Sequence, residues 1–270
     1  MKQLIIFFGL ACMISWVIWL PLYGHIFSLS HLPTLPYNHA LGALGPMIAS
    51  LITTWIFNKS LGVKQLVFSC LKVKPLKYLS IALFGPFILA LIAAIMNYII
   101  NRAPIQLTGL FDFKEQPNLN ILCFFVYNLV FFGFGEELGW RGFALPRIQY
   151  KFNALASSII ITVFWALWHW PLFFYRPGYS SMDIFGIVGW VFSLLTGSIL
   201  LTWLYNSSRA SILICAIFHS TIDMAFTSDF IDQNTTNYMG ILITVWGILT
   251  IIIFKPVNLA FIKRIKNFSP

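Results

Sequence analysis

Three stretches of this 270-residue sequence carry titratable side chains in an order that suits hydrolysis. FFGFGEELGWRGFALPR holds Glu136, Glu137 and Arg141; VFWALWHWP holds His169; LICAIFHSTIDMAF holds His219 and Asp223. Glu137 and Arg141 stand four residues apart with the acid first, the better orientation for an ion pair along one helix face. Glu136 projects about 100° away from Glu137 and is not committed to that pair. His219 and Asp223 also stand at i and i+4, so both can reach one cavity. A carboxylate not consumed by an arginine, with two imidazoles nearby, meets the needs of water activation: the carboxylate takes a proton and a donor stabilises the developing oxyanion. Taken singly, each motif has a structural use, as an ion-pair tether, a packed histidine between tryptophans, or a helix–helix clasp. Concentrated on three helices, they point to one shared polar site.

The elements that position these groups follow from composition. Hydrophobic side chains make up 59% of the chain and charged ones only 9%, against about 45–50% and about 25% in soluble domains, and mean hydropathy is +0.83. This excludes a disulfide scaffold, a disordered regulator and a cytosolic enzyme. A membrane span needs about 20 apolar residues in helical form, because the bilayer core leaves backbone groups no water to bond. Eight stretches qualify, near 4–22, 40–57, 77–100, 120–146, 154–174, 184–205, 210–227 and 238–254. None alternates with period two as an outer-membrane barrel strand does. The first stretch runs too long for a signal peptide and lacks a cleavage site before Pro21, so it reads as a retained helix. The fold expected is an all-α polytopic membrane protein in three blocks: residues 1–119 with three spans, a core of four spans over 120–227, and 228–270 with the last span and a basic tail.

Basic residues set the orientation. With the N-terminus in the cytoplasm, that side collects fourteen of the 17 Lys and Arg residues. They are Lys2, Lys59, Lys64, Lys72, Lys74, Lys77, Arg141, Arg147, Lys151, Arg209, Lys255, Lys263, Arg264 and Lys266. Arg102, Lys114 and Arg176 face the other side. Both termini are therefore expected in the cytoplasm, in a multi-pass protein of the plasma membrane. The net charge of +9 reads as cationic loops at an anionic lipid face, with no nucleic-acid partner.

In this order on three membrane helices, Glu-Glu-x-x-x-Arg, aromatic-x-x-x-His and His-x-x-x-Asp resemble the motifs of the CPBP family, the CAAX-processing and bacteriocin-processing (Abi) intramembrane endopeptidases. The resemblance covers about residues 120–227, and the flanking spans fit the family's eight-helix layout. It implies that Glu136 is the water-activating base and that Glu137 with Arg141 positions it. It makes His169 the partner at the water or metal, and His219 with Asp223 the oxyanion-stabilising or metal-binding pair. Trp165 stands where the family's second motif has Phe, with Phe164 one residue earlier, an exchange that bears on packing under the imidazole. Asp223 is acidic where Asn would be a neutral donor, which favours metal binding or histidine orientation over direct donation to an oxyanion.

Glu136, His169 and His219 are a set that can hold a divalent metal such as zinc and leave a position for water; the alternative is a metal-free site in which Glu136 and His169 polarise water directly. The leading expectation is peptide-bond hydrolysis in a membrane-associated protein or peptide from a cytoplasm-facing cavity, with the lipid bilayer as the other partner. The alternatives are a bacteriocin self-immunity protein that binds without proteolysis, and a transporter with the polar cluster as its ion site. The transporter reading is disfavoured because no inverted repeat or pair of broken helices is visible.

Smaller features have ordinary readings. His25, His31 and His39 read as a solvated loop, tryptophans and tyrosines as partial markers of the interfaces, and Asn206, Ser207 and Ser208 as a short turn. Gly133, Gly135, Gly139 and Gly142 read as points of close helix approach beside the glutamates. Asp112, Glu115, Asp183, Asp229 and Asp232 fall in outer connections where water solvates them. Counted from Arg147 and Arg209, Glu136 and His219 lie roughly 16 and 15 Å deep, whereas His169 lies roughly 27 Å from Lys151, a mismatch removed if 151–156 runs along the interface.

Overall fold

The computed structural model describes residues 1–29, 31–73, 75–105, 112–113 and 118–266; Lys74, Lys114 and Glu115 lie outside them. The described residues form helices α1 (Lys2–Tyr23), α2 (Asn38–Ala43), α3 (Gly45–Phe68), α4 (Leu76–Asn101), α5 (Ile121–Gln149), α6 (Ala154–Trp168), α7 (Leu172–Tyr175), α8 (Pro177–Ser180), α9 (Ile184–Ser207), α10 (Ile212–Thr227) and α11 (Gln233–Phe254). Their extended structure is limited to one bridge, Phe113 to Ser228. The protein is thus an all-α, multi-pass membrane protein.

Among the described residues, seven helical stretches are long and apolar enough to cross a bilayer, and the eighth expected span, α10, is shorter. Its 16 residues reach about 24 Å, less than the roughly 30 Å of a hydrocarbon core. The shortfall is tolerated because α10 packs against α4, α5 and α9 and buries most of its side chains in protein. α1 lies along α3, and α9 lies between α6 and α11.

Local chemistry fixes the helix starts. Asn120, Asn153, Asp183, Ser211 and Asp232 are N-caps whose side chains accept a hydrogen bond from the backbone N–H three residues on. Asp183 and Asp232 therefore have structural work, and Asp232 also accepts both Asn97 Nδ2 contacts at 3.0 and 2.9 Å. The second span continues as helix to Phe68, interrupted at Lys59, whose φ of 57° and ψ of −160° turn the chain.

One end of the bundle brings together Gln3, Lys72, Arg147 and the segment that holds Asn258 and Ile265. Arg147 Nε donates to Gln3 Oε1 at 2.9 Å, and Ser211 Oγ donates to the Lys72 carbonyl. Gln149 and Asn206 exchange amide hydrogen bonds at 3.1 and 2.8 Å while binding the Ile265 and Asn258 carbonyls. Asn206 is thus a buried clamp for the C-terminal segment, where the sequence suggested an open turn.

Several side chains have different surroundings from those expected. Arg141 is fully buried and does not count among the interfacial cations. Trp19, Trp140, Trp165, Trp168 and Trp203 are core residues, whereas Trp55 and Trp170 are exposed. His39 is no solvated loop residue: it stacks on Trp19 and its Nδ1 lies 2.7 Å from the Tyr175 hydroxyl. The four cysteines are free thiols.

Candidate active site

The site is built on an irregular helix. α5 runs as α-helix over Ile121–Asn128 and as π-helix over Leu129–Phe134. The three α-helical residues Gly135–Glu137 follow, then a second π stretch over Leu138–Ala144 and a last α turn over Leu145–Gln149. π turns inside α-helices concentrate at functional sites, and here they bracket the two glutamates. Glycines let neighbouring backbones close in on this segment. A Cβ at Gly133 would lie 2.7 Å from the Ala216 carbonyl oxygen, and one at Gly139 would lie 2.7 Å from both the carbonyl oxygen and Cβ of Pro46.

Glu136 and Glu137, adjacent in sequence, face different partners, as their angular separation requires. Glu137 Oε1 accepts from Arg141 Nη1 at 2.9 Å and pairs with His219 Nδ1 at 2.8 Å. Arg141 Nη2 donates to Ser198 Oγ on α9 at 3.2 Å, and the guanidinium lies 4.8 Å from the centroid of the Trp165 ring. Glu136, only 3% exposed, accepts from Trp165 Nε1 at its Oε2 over 2.7 Å. Its Oε1 lies 4.0 Å from His219 Nε2, and that nitrogen is 3.6 Å from Asp223 Oδ2. The 4.0 Å gap is too wide for a direct hydrogen bond and suits a bridging water.

Five expected residues thus share one constellation: Glu136, Glu137, Arg141, His219 and Asp223. His169 lies one turn beyond it. α6 ends at Trp168 and His169 is its C-cap, with Nδ1 held 2.7 Å from the Trp165 carbonyl oxygen. Its ring sits among Trp165, Trp168, Tyr179 and Trp190, at centroid separations of 5.8, 4.8, 6.1 and 5.7 Å. Burial pushes the Tyr179 phenol up to about 12, so it stays protonated. Among the described residues, no hydrogen bond or ion pair joins His169 to Glu136 or His219; the Trp165 indole lies against both imidazoles. The depth mismatch resolves here. α6 begins at Ala154, and the residue level with Glu136 is Trp165, with His169 a turn further along.

This arrangement bears on metal binding. Among the described residues, no three His, Cys, Asp or Glu side chains are gathered so as to hold an ion. The expected set of Glu136, His169 and His219 is not assembled. The Trp165 N–H occupies one Glu136 oxygen, Glu137 occupies His219 Nδ1, and His169 sits in its aromatic box. The donors present suit proton transfer. The Asp223 side chain, 35% exposed, is the most open member of the cluster. It lies four residues from the end of α10 that is remote from Ser211 and the basic end. The most open member of the site thus lies nearer the Thr227 end of α10 than the Ser211 end.

Sequence reasoning missed three contributors. Trp165 was assigned to packing and proves to be a hydrogen-bond donor; its place in the aromatic-x-x-x-His motif was the available signal. Ser198 and Tyr179 lay in segments with no motif to single them out.

Residues 118–225 match the family model described as type II CAAX prenyl endopeptidase Rce1-like. A protein of Methanococcus maripaludis named CAAX prenyl protease 2 is 36% identical to this chain over 93 residues, 33% of this chain and 34% of the relative. The matched part thus spans about a third of that curated relative's length. The helices that bring Glu136, Glu137 and His219 together lie within the part of this chain that matches the Rce1-like type II CAAX prenyl endopeptidase model.

Proposed function

We propose that the protein is an intramembrane endopeptidase that hydrolyses a peptide bond in a membrane-associated protein or peptide, with Glu136 as the base. The observation that carries this reading is the 4.0 Å space between Glu136 Oε1 and His219 Nε2, bounded by a second carboxylate at Asp223. A water there gives a proton to Glu136 while its oxygen attacks the peptide carbonyl carbon. The carbonyl becomes a tetrahedral oxyanion, which an N–H at His219 Nε2 stabilises. As the C–N bond breaks, Glu136 returns the proton to the leaving amine. Glu137 fixes the imidazole through Nδ1 and is itself fixed by Arg141; both are positioning residues, and Asp223 orients His219 at Nε2. Trp165 leaves Glu136 Oε1 facing the water by holding Oε2.

The names of the matching family and relative refer to a prenylated CAAX substrate, and a membrane-tethered peptide of that class is the first to test. Immunity by binding alone would need no ordered carboxylate–imidazole pair, so the geometry favours hydrolysis. The test is cleavage of a confirmed substrate of the wild-type protein by purified Glu136→Gln. A fall of about 10²–10⁴-fold is expected for loss of a general base, and undiminished cleavage would reject the assignment.

A further inference from the structure

At the basic end, the largely buried Arg147 donates only to neutral groups among the described residues. Its Nε donates to Gln3 Oε1 at 2.9 Å and its Nη1 to the Phe143 carbonyl at 2.8 Å, with the guanidinium 3.7 Å from the centroid of the Phe143 ring. Both acceptors are neutral, and no hydrogen bond among the described residues uses Nη2. Among the described residues, no carboxylate reaches Arg147. The described acids occupy the active-site cluster, the caps of α9 and α11, and the Asp112–Asp229 contact at the far end.

Arg147 lines a cavity of about 80 Å³ together with Thr54, Asn58, Leu61, Gly62 and Gln65 of α3. At about 30 Å³ per liquid water, it has room for two or three waters or one tetrahedral oxyanion. Thr54 is 4% exposed and its hydroxyl has no hydrogen-bond partner. A buried donor and an unneutralised guanidinium on one small cavity make a matched pair for an acceptor-only, negatively charged group. The Asn58 and Gln65 amides add neutral donors on the same wall. Leu61 on the rim is 59% exposed, which offers an acyl chain an apolar surface beside the cavity.

We infer that Arg147, Thr54, Asn58 and Gln65 form a site for a phosphate oxyanion, supplied by the headgroup of an anionic phospholipid of the leaflet at the basic end. Polar recognition of this kind between membrane helices is how basic pockets take lipid headgroups. The site is separate from the peptidase constellation, and the inference does not depend on the proposed function.

The test is thermal unfolding of the full-length protein in neutral detergent, with added phosphatidylglycerol, phosphatidylcholine or inorganic phosphate. Phosphatidylglycerol at about a hundredfold excess over its Kd is expected to raise the unfolding midpoint by about 5–10 °C, with no rise from phosphatidylcholine. The difference should vanish in Arg147→Gln and shrink in Thr54→Val, while Lys64→Gln, outside the cavity, keeps it. Thr54→Val and Arg147→Lys serve if Arg147→Gln does not fold. Equal effects of the two lipids, or a preference that survives in all the cavity variants, would overturn the inference. A midpoint shift with inorganic phosphate that matches the lipid's and is lost with Arg147 supports the oxyanion site but overturns the lipid as its source.

Discussion

Replacing Trp165 by Phe deletes one N–H and keeps a ring in place, which isolates the hydrogen bond at Glu136 from the packing around it. That bond is 2.7 Å long, runs to a carboxylate that is 3% exposed, and holds Oε2 in place. Hydrogen bonds to charged groups contribute about 1.5–3 kcal/mol net. If the restraint is needed in the transition state, its loss lowers kcat by about 10- to 150-fold at about 1.4 kcal/mol per decade. KM should change little, because the indole nitrogen faces the enzyme's own carboxylate. The structure supplies an internal control. Trp168 Nε1 donates to Ser15 Oγ, also at 2.7 Å and also buried, one turn along α6. Trp168→Phe removes a bond of the same type from the core without touching Glu136. The assay is steady-state cleavage of a membrane-tethered reporter peptide by both variants, alongside their thermal unfolding midpoints. Trp165→Phe should lose kcat out of proportion to its stability, and Trp168→Phe should not. Parallel losses of activity and stability in the two variants, or full kcat in Trp165→Phe, would refute the positioning role. The family motif that this segment resembles has Phe at this place, so the comparison also asks whether this chain has come to depend on the extra donor.

Two further outcomes follow from burial. Glu137→Gln leaves the fully buried Arg141 without its carboxylate and should cost about 3–5 kcal/mol; thermal unfolding should show most of that loss recovered when Arg141→Met is added. Gly139→Ala places a Cβ 2.7 Å from Pro46 backbone and side-chain atoms and should destabilise by about 1–3 kcal/mol. Gly197→Ala, with nothing within 4 Å of the new methyl group, should unfold at the wild-type temperature or slightly above it.

The solvent of this protein, its helical class and its reactive residue types were legible because they are local properties. Twenty apolar residues without charge have few other stable conformations in a bilayer. Carboxylates and imidazoles at bilayer depth are costly enough to mark a site wherever they occur. The pairing of Glu137 with Arg141 needed only helical spacing, and the freedom of Glu136 from that pair needed only the angle between adjacent residues.

Tertiary structure decided everything that depends on the register between helices. The choice of Trp165, and not His169, as the group level with Glu136 follows from where α6 starts beside α5. That start is set by the Asn153 cap and by the hydrogen bonds of Ala154 and Leu155 to the C-terminal segment. Whether His219 meets Glu136 or Glu137 depends on how closely α10 approaches at Gly133, and the π turns that shape this segment have no signature in its apolar pattern. That Arg147 meets only neutral acceptors among the described residues likewise appears only when the helix ends are assembled. Sequence fixes which groups are costly to bury, through propensity and partition; only packing fixes which partner each one meets, because those contacts join residues far apart in the chain.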